Sequence, residues 1–276
     1  MRILVSNDDG IHAPGLKVLE RIAKTLSDDV WVVAPEMEQS GAAHSLTLSL
    51  PVRVRKVSAK RYAVSGTPTD CVLLGLSEII PNSLPHRGRV RVGADSAEKS
   101  SPPPSLPPTG GGVNLVLSGV NNGSNVGDDV TYSGTVAAAM EGTILDVPSI
   151  ALSQIGDRDR MHWATAEQHA PALIKKLIAI GWPRDTLINI NFPDCAADKV
   201  KGVRVCPQGK RLVGVSFLER LDPRGRPYFW IGGDREDKAA KPDVDIDLLA
   251  KGYITVTPLC LNLTDYRAME KLRKGL

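Results

Sequence analysis

Apolar and polar positions follow two alternating periods along the first two-thirds of the chain, and each switch marks a new element. Arg2–Ser6 (RILVS) is an unbroken aliphatic run closed by Asn, Asp and Gly, the pattern of a strand buried on both faces. Leu16, Leu19, Ile22, Ala23 and Leu26 then recur at helical spacing. Residues 30–34 (VWVVA) return to a continuous apolar run, closed by Pro35. A β-α-β opening predicts a parallel sheet with a right-handed crossover. Residues 52–56 and 62–64 predict a short hairpin or edge pair. Thr67-Pro68-Thr69-Asp70 reads as a helix start, with Thr67 as N-cap, Pro68 in the first turn and Asp70 facing the positive end of the dipole. Val72, Leu73, Leu76 and Ile79 or Ile80 supply that helix with its apolar face. Residues 114–117, 148–152 and 187–191 predict three further strands. Between them, 133–145 opens with Ser-Gly-Thr and continues through three alanines, and 163–180 is amphipathic and stopped by Gly181, so both predict helices.

Two stretches break this rhythm. Residues 81–112 are crowded with proline and end in Gly-Gly-Gly, and they cannot bury enough apolar surface to offset the entropy of ordering. Most of 93–112 is therefore expected to be a mobile loop or insertion. From 194 onward, short alternating segments at 202–206, 227–231 and 253–257 are separated by charged, Pro- and Gly-bearing connections. They predict an antiparallel appendage, suited to oligomer contacts or to a plain edge extension. The expected architecture is α/β: a Rossmann-like three-layer α/β/α core with a mostly parallel sheet over 1–193, and a β-rich hairpin or arm extension over 194–276.

Composition narrows the function classes. Hydrophobic residues form 42% of the 276 positions and aromatics only 4%, so one large aliphatic core is expected. A net charge of +3 is too small to argue for a nucleic-acid polymer or a membrane as partner. None of the four cysteines is spaced Cys-x-x-Cys, and they read as reduced thiols. A first strand that begins at Arg2 leaves no room for the apolar stretch of a signal peptide, and no run reaches the length of a membrane span. A cytoplasmic protein is expected.

The chemistry collects where strands end, which is where ligands bind in an open parallel sheet. Asp8 and Asp9 follow the first strand, Ser40 and Gly41 follow the second after a brief loop, and Asn121 follows the strand at 114–118. Two carboxylates, a hydroxyl and an amide carbonyl are hard oxygen donors that suit Mg²⁺ or Mn²⁺; zinc fits poorly because no Cys or His accompanies them. Adjacent carboxylates repel unless a cation sits between them or one takes a proton. Ser133, Gly134 and Thr135 open a helix whose free N–H groups favour an anion, and Ser40, Gly41 and the 123–127 loop add donors for a phosphate. Walker spacing and a strand-following G-x-G-x-x-G are both absent. Taken singly, Asp-Asp-Gly is a turn signal and Ser-Gly-Thr a helix cap; their convergence with Asn121 points to a site. His12 and His44 lie in the same loops, and His44 is the candidate general acid.

These residues resemble the SurE family (survival protein E), metal-dependent 5′-nucleotidases. The resemblance rests on MRILVSNDDGIHAPGL, VVAPEMEQSGAAHSLTL, VSGTPTDCV, LVLSGVNNGSNVGDDVTYSGTVAAAMEG and ITVTPL, which with their spacers span nearly the whole chain. It implies a Rossmann-like, acid-phosphatase-like phosphohydrolase of nucleoside monophosphates, with activity on 3′-nucleotides and short polyphosphate in some members. It implies Asp8, Asp9, Ser40 and Asn121 as ligands of a divalent metal, with Asp8 and Asp9 catalytic. Ser40, Gly41, Asn121, Ser133, Gly134 and Thr135 would surround the phosphate. It also implies a homodimer or homotetramer built through C-terminal arms. The 93–112 segment is longer than in typical bacterial members, and His44 stands where many carry Asn. Attack by water and a covalent phosphate on Asp8 both remain open routes. A non-catalytic nucleotide-binding module and a metal-dependent transferase such as a glycosyltransferase are the alternatives, the last weakened by the lack of an obvious sugar-binding aromatic.

Overall fold

The N-terminal aliphatic run forms β1 (Arg2–Ser6), α1 (Pro14–Lys24) crosses over it, and β2 (Asp29–Pro35) returns parallel to β1, with Ile3 opposite Val30. The structure is a computed structural model that describes residues 1–80, 112–157, 161–210, 216–232 and 241–276. The insertion expected over 93–112 therefore lies outside the described residues, apart from Gly112. The edge pair forms as β3 (Val54–Ser58) and β4 (Arg61–Val64), antiparallel to each other. Next comes α2 (Pro68–Leu74), continued by a wider turn over Gly75–Ile79. It opens on the expected capping box: Asp70 N–H donates to Thr67 Oγ1 at 3.2 Å and Thr67 N–H to Asp70 Oδ2 at 2.9 Å. The chain continues through β5 (Leu115–Asn122), α3 (Gly134–Ile144), β6 (Ser149–Gln154), α4 (Trp163–Ile180), β7 (Thr186–Phe192), β8 (Val203–Val205), β9 (Ser216–Leu221), β10 (Pro227–Gly232), α5 (Asp245–Ala250), β11 (Ile254–Cys260) and α6 (Tyr266–Gly275).

Among the described residues, nine strands make one sheet in the order β3-β4-β2-β1-β5-β6-β7-β11-β8. The run from β4 to β7 is parallel throughout. Alternate residues of β1 feed two cores. Ile3 and Val5 pack with Leu16 and Leu19 of α1 and Ala166 and Ile174 of α4. Leu4 faces the other way, into Val72 and Leu76 beside α2 and Ala138 of α3. This is the three-layer arrangement expected, and burying each such aliphatic side chain stabilises the fold by about 1.5–3 kcal/mol. Among the described residues no helix is long and apolar enough to cross a membrane.

The C-terminal third combines the two expected forms, a separate hairpin and an extension of the sheet edge. Among the described residues, β9 and β10 form a separate antiparallel hairpin. The segments at 202–206 and 253–257 become β8 and β11 and extend the main sheet, with β11 antiparallel to β7 and β8 parallel to β11. On β11, Thr255 and Thr257 are as buried as Ile254 and Val256. A β-branched threonine packs on a covered sheet almost as valine does.

Candidate active site

β5 runs past residue 117 and carries Asn121 and Asn122 on the strand itself, where a register irregularity against β6 falls between Ser118 and Asn121. That irregularity re-aims the end of the strand, as bulges do beside active sites. α1 starts hard against it: a Cβ on Gly15 would lie 1.9 Å from the Val120 carbonyl oxygen, so only glycine permits the approach. The loop after β2 is tied to the end of β1 by Gln39 N–H donating to Asp8 O at 2.8 Å. One cleft of about 690 Å³ results, lined by Asp8 and Asp9, Glu38, Ser40 and Gly41, residues 121–125, Asp129, Tyr132 and Ser133, with 13–15 and Ile155 completing the wall. It lies beyond the carboxyl ends of β1, β2, β5 and β6, as the strand-end rule requires.

Asp8 forms the floor and is only 5% exposed. Burial pushes its carboxyl above the usual value, while the Thr135 hydroxyl and the Thr135 backbone N–H oppose that rise. The Thr135 hydroxyl, fully buried, donates to Asp8 Oδ1. α3 begins so close that a Cβ on Gly134 would meet Asp8 Cβ at 2.7 Å. The positive end of α3 is thus directed at a protein carboxylate. Asp9 is more exposed and accepts from Asn122 N–H at 3.4 Å. Asn121 Nδ2 donates to Gly123 O at 2.8 Å, which commits the amide nitrogen and leaves the side-chain carbonyl as the donor atom for a cation. Ser40 is exposed and donates to Glu38 Oε1 at 2.7 Å.

A buried amide network fixes the 121–127 segment. Asn191 Oδ1 accepts from Asn125 N–H at 2.8 Å, and the side-chain nitrogens of Asn189 and Asn191 donate to Asn125 O at 2.7 and 3.1 Å. Asn125 Nδ2 donates to Ser153 Oγ at 2.8 Å. Asp245, fully buried, accepts from Gly127 N–H at 2.9 Å and Gly209 N–H at 2.7 Å. These contacts join β6, β7 and α5 to one wall of the cleft.

A family model described as Survival protein SurE matches residues 3–93 and 103–214. The chain belongs to the SurE family. A 5′-nucleotidase SurE of Paramagnetospirillum magneticum is 53% identical over 274 residues, covering 98% of this chain and 95% of that protein. One of Brucella suis is 51% identical over 280 residues, covering 100% and 98%. The crystal structure of the SurE protein from Aquifex aeolicus is similar in fold, with a TM-score of 0.78 at 36% identity, over 100% of this chain and 99% of that one.

Within this SurE fold the expected residues divide into three groups. Asp8, Asp9, Ser40, Gly41, Asn121 and Ser133 come together on the cleft. Gly134 and Thr135 stand behind Asp8, where the Thr135 hydroxyl holds the carboxylate and α3 starts against its Cβ. His44 does not reach the cleft. Its Nε2 lies 3.0 Å from Oε2 of the buried Glu141, two turns along α3 from the cleft end, so the geometry does not support it as general acid. Sequence reading missed Asn189 and Asn191, whose signal was two asparagines alternating with isoleucine inside an apolar strand. It also missed Tyr132. Among the described residues no three His, Cys, Asp or Glu side chains gather as a metal site. Two carboxylates with the oxygens of Asn121 and Ser40 line one cleft, hard oxygen donors of the kind that Mg²⁺ or Mn²⁺ takes.

Proposed function

We propose that this chain is a divalent-metal-dependent phosphomonoester hydrolase that removes phosphate from nucleoside 5′-monophosphates. Nucleotides carrying 3′-phosphate and short polyphosphate are further substrates of the same site. One observation carries the reading: a buried carboxylate, held by the first turn of α3, and its more exposed neighbour share a strand-end cleft with Asn121 and Ser40. The 5′-nucleotidase names of the relatives support the substrate class.

Asp8, Asp9, Ser40 and Asn121 would hold the cation, which when bound supplies Lewis-acid polarisation of a phosphoryl oxygen. Asp8 is kept in one orientation by Thr135 and does not need to move. Asp9, the more accessible carboxylate, orients the attacking water and takes its proton as the oxygen–phosphorus bond forms. The ester bond to the nucleoside oxygen breaks, and that oxygen takes a proton from solvent. Ser133 and the Gly41 backbone flank the phosphate, adding donors to its equatorial oxygens. The protein acts in the cytoplasm as a homodimer or homotetramer, with the β9–β10 hairpin as the arm. Leu218, Phe229 and Trp230 on that hairpin are exposed, which supports a covered state in an oligomer.

The deciding assay is phosphate release from AMP with Mn²⁺, with and without EDTA, by the wild type and Asp8→Asn. Release by the wild type alone, lost in EDTA, supports the proposal. Equal background release by both proteins would leave a nucleotide-binding module without turnover.

A further inference from the structure

Tyr132 is the single aromatic residue on the cleft wall among the described residues, and its side chain finds no cover there: the residue is 66% exposed. Its backbone is pinned, with Tyr132 N–H donating to Asp129 O at 3.0 Å at the end of the 3₁₀ turn Gly127–Thr131. Its neighbour Ser133 is 7% exposed and caps α3 by accepting from Val136 N–H at 3.1 Å. A rigid backbone thus presents an aromatic ring at the rim, beside a residue of the floor. The distance to the chemistry is short. The Cβ position of Gly134 lies 2.7 Å from Asp8 Cβ, and Tyr132 is two residues from Gly134, at most about 7.6 Å between Cα atoms. Tyr132 thus lines the same cleft as Asp8 and Asp9.

An exposed, backbone-anchored aromatic beside an anion site is what a planar base needs. Stacking exploits a π-face that every nucleobase has, and so adds affinity without choosing among bases. Resting on the nucleotidase reading of this site, we infer that Tyr132 is the base platform: it stacks on the nucleobase of a bound nucleoside monophosphate and separates nucleotides from other phosphomonoesters. Ile155 supplies an apolar patch elsewhere on the same wall. Purine and pyrimidine nucleotides are accordingly accepted alike at this position.

The test compares AMP with ribose 5-phosphate, which keeps the phosphate and sugar and lacks the base. Wild type, Tyr132→Ala and Tyr132→Phe are assayed by steady-state phosphate release with Mn²⁺. The expected result for Tyr132→Ala is a KM for AMP raised about 5- to 150-fold with kcat within about twofold, and an unchanged kcat/KM for ribose 5-phosphate. Tyr132→Phe keeps the ring and stays close to wild type on both. Because the side chain is exposed, its removal leaves the fold intact, and an unchanged melting temperature verifies that. An equal loss on AMP and ribose 5-phosphate, or no change on AMP, would overturn the assignment while leaving the phosphohydrolase reading in place. A wild type that releases phosphate from neither compound would overturn both.

Discussion

Replacing Thr135 by valine removes one hydroxyl and almost nothing else. The side chain is fully buried and its hydroxyl donates to a carboxylate that is 5% exposed. A hydrogen bond to a charged group contributes about 1.5–3 kcal/mol, and here the loss leaves a buried oxygen short of a donor. For a chain of this size a loss of that order lowers the melting temperature by several degrees. The larger effect should be on function. Groups that orient a metal-binding carboxylate are worth about 10–100-fold in metal affinity or activity. Thr135→Val should therefore raise the Mn²⁺ concentration for half-maximal AMP hydrolysis by about that factor. Thr135→Ser restores the hydroxyl without the methyl, and should recover most of the activity while remaining slightly less stable. The assay is a Mn²⁺ titration of AMP hydrolysis alongside thermal melts without metal. Wild-type behaviour in Thr135→Val, or a serine variant as impaired as the valine one, would refute the role assigned to the hydroxyl.

Two further outcomes are expected. Asn191→Leu deletes the acceptor for Asn125 N–H and one donor to Asn125 O, so stability to urea should fall by about 1–3 kcal/mol and the KM for AMP should rise as the 121–127 wall loosens; an unchanged KM would separate the network from the site. Asp29 is drawn up by burial, but Lys60, Arg2 and Trp31 together hold its pKa at about 2, against an ordinary value of 3.8. A depressed carboxylate contributes stability that is present above pH 4 and lost as pH falls from about 4 to about 2. Asp29→Asn should thus be destabilised by about 1 kcal/mol at pH 7, after allowance for solvent screening of a one-third-exposed group, and by almost nothing at pH 2; a constant difference across that window would contradict the ion-pair origin.

The parts of the fold readable from sequence were those where local chemistry and burial agree. β1, α1 and β2 follow from aliphatic runs and helical spacing, and the Thr67–Asp70 cap was visible because a capping box needs only four adjacent residues. Gly181 stops α4 as expected. The sequence left an arm and an edge extension both open for the C-terminal strands, because joining β11 to β7 is a long-range choice that no local pattern encodes. The candidate site was legible as a set of strand ends. Its internal division was not. Ser133, Gly134 and Thr135 read as one helix-start triplet, but helical geometry sends Thr135 inward to Asp8 while Ser133 faces the cleft. His44 sits only four residues from Ser40, and its pairing with Glu141 depends on how the loop lies across α3. Asn189 and Asn191 are buried because β7 lies inside the sheet, a placement that the strand's own sequence does not encode.

The most direct measurement is the anomalous scattering of crystals soaked in Mn²⁺. One peak per chain is expected, with oxygens of Asp8, Asp9 and Asn121 within about 2.0–2.6 Å and Ser40 in or next to that shell, and the same soak of Asp9→Asn should show the peak weakened or gone. A peak that touches neither Asp8 nor Asp9, or full occupancy in the Asp9→Asn crystals, would contradict the claim that these strand ends together bind the metal.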